Sequence, residues 1–177
     1  MQPTARVAND APRLMPVVGL TNKKDIDRVV AMTVRVFIQS EAGSHQKNYH
    51  DEKRLVWQRA VTVSRAYPFP YGFVIDTSAD DGCNVDCFVI TDSPLRTGQR
   101  VDCEVVGLME QFEDDQVDHN VLAGLPGSEA TIDDAVRERL RVFVANVFSH
   151  IPGKRVDAGR FLNASEAQKH IARHIAR

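Results

Sequence analysis

Residues 67–91 read YPFPYGFVIDTSADDGCNVDCFVIT, so an aromatic segment with two prolines leads into two short apolar runs on either side of an acidic turn. Proline has no N–H group to donate to a strand ladder, and Pro68 and Pro70 therefore interrupt regular pairing. The apolar runs 73–75 and 85–91 resume it. This stretch predicts a strand, a turn and a second strand.

Further strand candidates lie on both sides of this stretch. Residues 33–39 are rich in β-branched side chains and nearly alternate between apolar and polar. The other candidates are residues 55–65, 100–109 and 120–122. The polar segment 40–50, which contains a glycine, is predicted to be a loop. Short strands at this spacing, joined by turns, predict a small β-barrel or a curled sheet.

The last third of the chain has the periodicity of helices. Apolar residues recur at spacings of three and four over residues 132–151, and Pro152-Gly153 ends this pattern. Thr131, followed three residues later by Asp134, predicts a weak capping box at the start of this helix. Asn163 predicts the start of a second helix. Because the strands come first and the helices last, the predicted fold class is α+β.

Length and charge limit the organisation of the chain. A chain of 177 residues suits one domain, and we expect a flexible arm over residues 1–13 and a single domain over residues 14–177. Within that domain, residues 14–20 predict a first strand or a lid on the core. The formal net charge of −2 gives no electrostatic reason for binding to nucleic acid or to an anionic membrane. No apolar run approaches the ~18 residues that a membrane span needs.

The cysteines predict a reducing environment. Cys83, Cys87 and Cys103 are an odd number and do not form the pattern of a secreted disulfide framework, so we expect a cytoplasmic location. A structural zinc site normally takes four ligands in close pairs, whereas this chain has a single C-x3-C pair. We therefore expect Cys87 and Cys103, which fall in strand patterns, to be core residues.

Two acidic turns are the first candidates for chemistry. Residues 80–86 and 113–118 are rich in carboxylates, and each turn leads into a predicted strand. If the turns lie at the same end of a barrel, their carboxylates converge into the all-oxygen environment that Mg²⁺ prefers. The alternative is that both turns are ordinary solvated loops.

Basic and aromatic residues upstream are candidates for anion binding. Lys47 and Arg59 suit phosphate, because the guanidinium of arginine is a planar fork of donors. The alternative is that both are surface cations. The hydroxyls of Tyr67 and Tyr71 could donate to phosphate, or the two rings could simply pack beside the prolines.

Taken in order, these segments resemble one known family, the soluble family I inorganic pyrophosphatases. The segments that carry the resemblance are residues 67–72, 81–86, 106–107, 113–118 and 163–167. Their order and spacing match from about Val34 to the C-terminus. The family signature is D-G-D-P-x-D. This chain keeps Asp81 and Asp86 at the ends of the signature and has Cys83-Asn84 in place of the central Asp-Pro.

The resemblance implies a fold and an activity. Members of the family fold as a small five-stranded OB-like β-barrel flanked by helices. They bind several Mg²⁺ ions between carboxylates and substrate, and an activated water attacks one phosphorus of pyrophosphate. For this chain the resemblance implies Mg²⁺ as cofactor, pyrophosphate or another small phosphate compound as substrate, and a homo-oligomer as the assembly.

Carried over residue by residue, the resemblance also implies a site. The implied metal ligands are Asp81, Asp86, Glu113 and Asp118. The implied substrate ligands are Lys47, Arg59 and Tyr71, with Tyr67 as an aromatic neighbour. The implied catalytic residues are Asp81, Asp86, Arg59 and Tyr71.

The chain departs from the family pattern at several of these positions. Cys83 stands where the family has an aspartate that helps to hold and deprotonate the attacking water, and Asn120 replaces a phosphate lysine. Val147 and Phe148 replace a Tyr-Lys pair, and we expect Val147 to pack into the core and Phe148 to close the phosphate side of the pocket. Lys154 is interpreted as peripheral.

Three interpretations follow. The chain is a divergent pyrophosphatase with weakened or shifted activity, or it is a catalytically degenerate binding or regulatory protein on the same fold. In the third interpretation the metal preference has changed, because Cys83 beside Asp81, Asp86 and His119 would favour a softer transition metal over Mg²⁺.

Overall fold

A computed structural model describes residues 31–176 of the chain. The predicted arm at 1–13 and the predicted strand or lid at 14–20 lie outside the described residues. Within the described range the elements, in chain order, are β1 (Thr33–Ser40), β2 (Gln46–Asp51), β3 (Val56–Thr62), β4 (Tyr71–Val74), β5 (Asp86–Val89), β6 (Arg100–Glu113), β7 (Gln116–Val117), β8 (Asn120–Gly124), α1 (Asp134–Asn146), β9 (Val156–Asn163) and α2 (Ala164–Arg173).

Five strands close into a barrel. The pairing order is β1-β4-β5-β8-β6, and β6 also pairs with β1, so the sheet returns on itself. The strands β5 and β8 run parallel, whereas the other barrel pairs are antiparallel. With α1 and α2 following the barrel, the predicted fold is confirmed as an α+β, five-stranded OB-like barrel with C-terminal helices.

The glycine after the proline segment is required where β4 crosses β1. A Cβ atom at Gly72 would lie only 1.7 Å from the carbonyl oxygen of Phe37. Any larger residue would therefore push the two strands apart. This close approach keeps Tyr71, the preceding residue, at the start of β4 and inside the molecule.

The core has two parts. One part fills the barrel and reaches α2 through Ile171, and it contains both Cys87 and Cys103, which are fully buried as predicted. The other part is aromatic and lies between the barrel and α1, where Phe88 packs against Phe143. The second part forms one wall of the site described below.

The prediction of a loop over residues 40–50 is wrong in its second half. Residues 46–51 form β2, which pairs with β3 in a separate two-stranded sheet. Most of this hairpin is exposed or half-buried, so polar side chains are accommodated on it and no alternation of apolar residues marks it. β3 is also shorter than the predicted 55–65, because Leu55 adopts a positive φ of 58° in the turn.

The helix α1 begins and ends differently from the prediction, and one strand between the helices was not predicted. The N-cap of α1 is Asp133, whose side chain accepts from the N–H of Val136 at 2.8 Å, and not Thr131. The helix ends at Asn146, so Ile151 lies in an exposed turn although it continues the apolar spacing. The strand β9, which pairs with β6, was not predicted. The Asn163 cap of α2 is confirmed, with its side chain accepting from Glu166 N–H at 3.1 Å.

Between residues 31 and 176, no helix combines the length and the apolar character needed to cross a membrane.

Candidate active site

A small cavity of about 30 Å³ lies where the barrel meets the end of α1. Its polar lining comes from distant parts of the chain and consists of Lys47, Tyr67, Tyr71, Gln111, Glu113, Asp118 and Asn120. The structure therefore brings Lys47, Tyr71, Glu113 and Asp118, all predicted site residues, around one space.

Asp86 stands beside this cavity at the first position of β5. The hydroxyl of Tyr71 donates to its Oδ2 at 2.6 Å. Burial, and then the nearby charge of Asp118, raise the pKa of Asp86 to about 7, whereas Tyr71 and Lys47 act in the opposite direction. The pKa of the Tyr71 hydroxyl is also raised, by burial and by Asp86, so this tyrosine stays a proton donor in hydrogen bonds.

Asp118 is the second carboxylate in an unfavourable position. Burial is the main reason that the pKa of Asp118 is raised, and the charge of Glu113 is the next. The charge of Asp81 adds to this effect, whereas the charge of Lys47 lowers the pKa. Its Oδ2 accepts a hydrogen bond from Gln111 Nε2 at 3.0 Å. Asp118 thus interacts electrostatically with Asp81, Asp86 and Glu113, which come from different positions in the chain.

Glu113, at the end of β6, is engaged by a lysine that sequence reasoning treated as peripheral. Lys154 Nζ lies 2.5 Å from Glu113 Oε1 and 2.8 Å from Asp114 Oδ2. These contacts raise the pKa of Lys154, with the hydrogen bond to Asp114 as the largest cause. Lys154 therefore brings a positive charge next to the cavity, where it balances one of the carboxylates.

Asp81 and Cys83 lie on the exposed turn before β5. The backbone N–H of Cys83 donates to Asp81 Oδ1 at 2.9 Å, which shapes the turn. Partial burial raises the pKa of the Cys83 thiol to about 11, and the charges of Glu52, Asp81 and Asp86 add to this effect. Cys83 is therefore a neutral thiol at neutral pH.

Arg59 does not line the cavity. Its guanidinium carbon lies 3.9 Å from the centre of the Tyr49 ring, and Lys47 Nζ lies 5.4 Å from the centre of the same ring. The register of the hairpin pairs Tyr49 with Arg59, which puts Arg59 one aromatic ring away from Lys47. Arg59 is thus held on the exposed hairpin, close to the cavity residue Lys47.

Two apolar residues after α1 close the cavity on one side. Val147 is buried and Phe148 is half-buried, and both line the cavity. The ammonium groups of Lys47 and Lys154 lie 5.2 and 6.0 Å from the centre of the Phe148 ring. Phe148 thus places an aromatic ring near both ammonium groups at the cavity wall.

Asn120 leaves a polar atom unsatisfied at this cavity. The side chain is 1% exposed, and its Nδ2 donates to the backbone carbonyl of Asp118 at 3.2 Å. Its Oδ1 has no hydrogen-bond partner among the described residues. A buried acceptor without a partner is costly, so a water or a ligand with a donor group suits this space.

The residues around the turn suit a hard divalent cation better than a soft one. Asp81, Asp86, Glu113 and Asp118 offer carboxylate oxygens, which are the ligands of Mg²⁺ and Mn²⁺. Burial and, after it, repulsion between carboxylates raise the pKa of Asp86 and Asp118, and a bound cation would offset both effects. Over residues 31–176 no three such side chains stand close enough together to hold a metal ion in the metal-free structure.

Within residues 31–176, His119 and Cys83 do not form a group of ligating side chains with Asp81 and Asp86. The ring of His119 contacts Phe112 and His170, with ring centres 5.7 and 5.8 Å away, and its Nδ1 accepts from the N–H of Gln111. The charges around Cys83 are those of carboxylates, which oppose formation of a thiolate. The carboxylates around Cys83 therefore favour a metal that is ligated by oxygen.

Sequence reasoning missed two charged residues, Lys154 as a partner of Glu113 and Glu52 as a neighbour of the turn of Asp81 and Cys83. Glu52 follows β2 and accepts hydrogen bonds from Asn84. Both contacts join segments that are about 30 to 40 residues apart in the chain. Their only sequence signal is the presence of a charge, which is shared by many surface positions.

Comparison with known proteins agrees with the architecture. The model of the family described as inorganic pyrophosphatase matches residues 34–177. The inorganic pyrophosphatase of Nanoarchaeum equitans is 27% identical over 150 residues, which cover 79% of this chain and 94% of that protein. The inorganic pyrophosphatase of Streptomyces coelicolor is 28% identical over 157 residues, with coverage of 82% and 96%.

Solved structures give the same result. The structure of an inorganic pyrophosphatase from Coxiella burnetii superposes with a TM-score of 0.73 at 25% identity, covering 81% of this chain and 93% of that one. Since the family model spans most of the sequence and the barrel superposes on a solved member, the chain belongs to the inorganic pyrophosphatase family.

Proposed function

We propose that this protein hydrolyses inorganic pyrophosphate to phosphate with a divalent cation, with Mg²⁺ as the expected metal, and that its turnover is weakened relative to its family. The observation that carries the proposal is the joint placement of Lys47, Tyr71, Glu113 and Asp118 around one cavity with Asp86 beside it. Family membership supports the same activity, and proteins of this family depend on divalent metals.

In this proposal the metal ligands are Asp81, Asp86, Glu113 and Asp118. Bound divalent cations supply charge neutralisation for the phosphate oxygens and acidify water. The protein's own part in this proposal is to supply these carboxylates from the two acidic turns, and the bound cation offsets the burial and repulsion that oppose their ionisation. The hydroxyl of Tyr71 contributes by donating to Asp86, which favours the charged carboxylate.

The substrate ligands in this proposal are cations and a hydroxyl. Lys47 lines the cavity and offers its ammonium group to a phosphate oxygen, and Arg59 offers its guanidinium from the exposed hairpin. Tyr71 lines the cavity, and its hydroxyl, which donates to Asp86 in the metal-free protein, would donate to a phosphate oxygen instead when substrate is bound. Together with Asp81 and Asp86, Arg59 and Tyr71 form the proposed catalytic group.

The weakened activity follows from three positions. Cys83 is a neutral thiol and provides neither charge nor a hard ligand. Asn120 is buried and uncharged, so it cannot balance a phosphate. Phe148 lines the cavity with its ring centre 5.2 Å from the ammonium group of Lys47, so in this proposal it crowds the space beside that substrate cation. Losing one electrostatic contact to a transition state typically costs ~10²–10³ in rate, although such losses are not additive.

The test is phosphate release from pyrophosphate by the purified full chain with Mg²⁺, Mn²⁺ and Zn²⁺ compared. We expect release with Mg²⁺ or Mn²⁺, a loss of at least ~10² in Asp118→Asn, and an unchanged rate in Asp92→Asn, a matched exposed aspartate. No release with any of the three metals would reject the proposed activity and favour a binding or regulatory protein on the same fold.

Two further parts of the proposal concern the state of the protein in the cell. We expect a homo-oligomer, as the family resemblance implies, and light scattering of the full chain in solution measures its mass. We also expect the cytoplasm, because Cys83, Cys87 and Cys103 are all free thiols. Localisation of a fluorescently tagged chain tests this expectation.

A further inference from the structure

Glu52 is a half-buried carboxylate that the site described above does not use. It follows β2 in the hairpin turn, and its Oε2 accepts two hydrogen bonds from Asn84. The backbone N–H of Asn84 donates at 2.5 Å and its side-chain Nδ2 at 3.0 Å. Both bonds use the same oxygen, and Oε1 makes no hydrogen bond or ion pair to the part of the chain that the structure describes.

Asn84 is itself held firmly in place. Its side-chain oxygen accepts from the backbone N–H of Thr77 at 3.1 Å, so its amide is used on both sides. The family signature has proline at this position, and proline has no N–H group to donate. We call the two hydrogen bonds from Asn84 to Glu52 the clasp. The clasp depends on Asn84, a residue at which this chain departs from the family signature.

The charge of Glu52 acts on the turn at the position where this chain lacks a carboxylate. It is the largest of the charges that raise the pKa of the Cys83 thiol, and it also raises that of Asp86. In return, the charge of Asp81 adds to the effect of burial in raising the pKa of Glu52. Glu52 is therefore a neighbour of Asp81, Cys83 and Asp86 although it lies about 30 residues earlier in the chain.

If residue 52 only held the turn in place, it would not need a charge. The amide oxygen of glutamine can accept the same two hydrogen bonds without placing a further charge next to Asp81 and Asp86. A half-buried charge among like charges is unfavourable unless a cation offsets it. The free Oε1 is a hard oxygen ligand of the kind that Mg²⁺ and Mn²⁺ take.

We propose that Glu52, fixed by Asn84, supplies through Oε1 the carboxylate for the divalent cation that Cys83 does not supply. The proposal rests on the proposed function, since it places the same cation at the same turn. It adds to that site a ligand from the β2–β3 hairpin.

Metal affinity, measured without pyrophosphate, is the first test. Calorimetric titration of the metal-free full chain with Mn²⁺ compares the parent with Glu52→Gln, and Glu138→Gln on the exposed face of α1 is the matched control. We expect Glu52→Gln to weaken Mn²⁺ binding by about tenfold or more, and Glu138→Gln to bind as the parent does. Equal affinity in the parent and Glu52→Gln would overturn the proposal.

A second set of variants tests whether Glu52 binds the cation or only holds the turn in place. Adding Cys83→Asp to Glu52→Gln returns a carboxylate to the turn, and we expect it to restore most of the lost Mn²⁺ affinity. Asn84→Ala removes one bond of the clasp but keeps the carboxylate, and we expect a smaller loss than in Glu52→Gln. A failure of Cys83→Asp to restore binding, or an equal loss in Asn84→Ala, would overturn the proposal in favour of a purely structural clasp.

The outcome does not depend on turnover. If the parent releases no phosphate, the proposed function fails, and the Mn²⁺ titrations still decide the role of Glu52. If the parent is active and Glu52→Gln keeps full Mn²⁺ affinity, only the inference about Glu52 fails. Circular dichroism of Glu52→Gln checks that its fold is intact, and Asn84→Ala gives an independent measurement if it is not.

Discussion

Asp86 occupies a position that is unfavourable for its charge in the metal-free protein. Burial and the charge of Asp118 oppose its ionisation, and the hydrogen bond from Tyr71 and the charge of Lys47 offset only part of that cost. Perturbed carboxylates of this kind concentrate at functional sites. The same group that suits a cation should therefore weaken the fold when the cation is removed.

We predict that Asp86→Asn stabilises the metal-free protein at pH 8. The pKa of Asp86 is raised in the folded state to about 7, so the stability it contributes is complete below the unfolded value and is lost as pH rises through the folded value. Asparagine does not ionise and still accepts from Tyr71. The gain in the free energy of unfolding should be on the order of 2 kcal/mol at pH 8 and should vanish near pH 4.

Urea unfolding in EDTA at both pH values measures this difference. Asp92→Asn, at an exposed loop position, serves as the control and should change little at either pH. A parent and an Asp86→Asn variant of equal stability at pH 8 would show that Asp86 is not strained by its surroundings. Added Mg²⁺ should stabilise the parent and not the variant, because a ligand stabilises only the protein that binds it.

At the scale of elements, the sequence predicted the strands and the helix start that depend on patterns of neighbouring residues. The alternation in residues 33–39 and the β-branched runs predicted β1 and β5, since strands that face a core need apolar side chains at every second position. The Asn163 cap was readable because the capping bond spans only three residues. The strands β2 and β9 were missed, since both are largely exposed or half-buried and carry no such alternation.

The helix α2 carries a histidine that makes the fold sensitive to acid. Burial, and then the nearby His174 and His119, lower the pKa of His170 to about 4. A base with a lowered pKa in the folded state contributes stability above its unfolded pKa and loses it as pH falls toward the folded value. The protein should therefore lose stability between about pH 6.5 and pH 4 through this residue.

We predict that His170→Leu reduces this loss. Leucine fills a similar volume in the half-buried position and cannot be protonated, so the gain over the parent should be on the order of 1–2 kcal/mol at pH 4.5 and near zero at pH 8. Thermal unfolding at the two pH values, with the exposed His45→Gln as control, measures it. The same pH dependence in the parent and in His170→Leu would assign the acid sensitivity to other groups.

At the scale of the whole molecule, the site shows where sequence reasoning stops. The positions of Asp81, Asp86, Glu113 and Asp118 were readable as acidic turns, and their assignment as metal ligands stays a prediction. The ion pair of Lys154 with Glu113 and the clasp of Glu52 with Asn84 exist only once distant segments have folded together. No local periodicity encodes such contacts, because they depend on how the hairpin, the barrel and the end of α1 meet.

Phe148 controls the size of the space that these three parts enclose. The cavity measures about 30 Å³, and Phe148 lines it with the ammonium groups of Lys47 and Lys154 at 5.2 and 6.0 Å from the centre of its ring. We predict that Phe148→Ala tightens the Mg²⁺-dependent binding of pyrophosphate and raises phosphate release, because both ammonium groups become accessible to a phosphate. The variant should also lose roughly 1–3 kcal/mol of stability, less than a fully buried phenylalanine would cost.

Phe161→Ala is the matched control for this change. Phe161 is also half-buried, packs against the same aromatic part of the core and has a cation above its ring, with Arg141 at 5.0 Å. It does not line the cavity, so Phe161→Ala should lose a similar amount of stability and leave pyrophosphate binding unchanged. Calorimetry and a phosphate-release assay on both variants separate the two effects. Weaker binding in Phe148→Ala than in the parent would mean that the ring orients the lysines instead of blocking them, and the low turnover would then trace to Cys83 and Asn120.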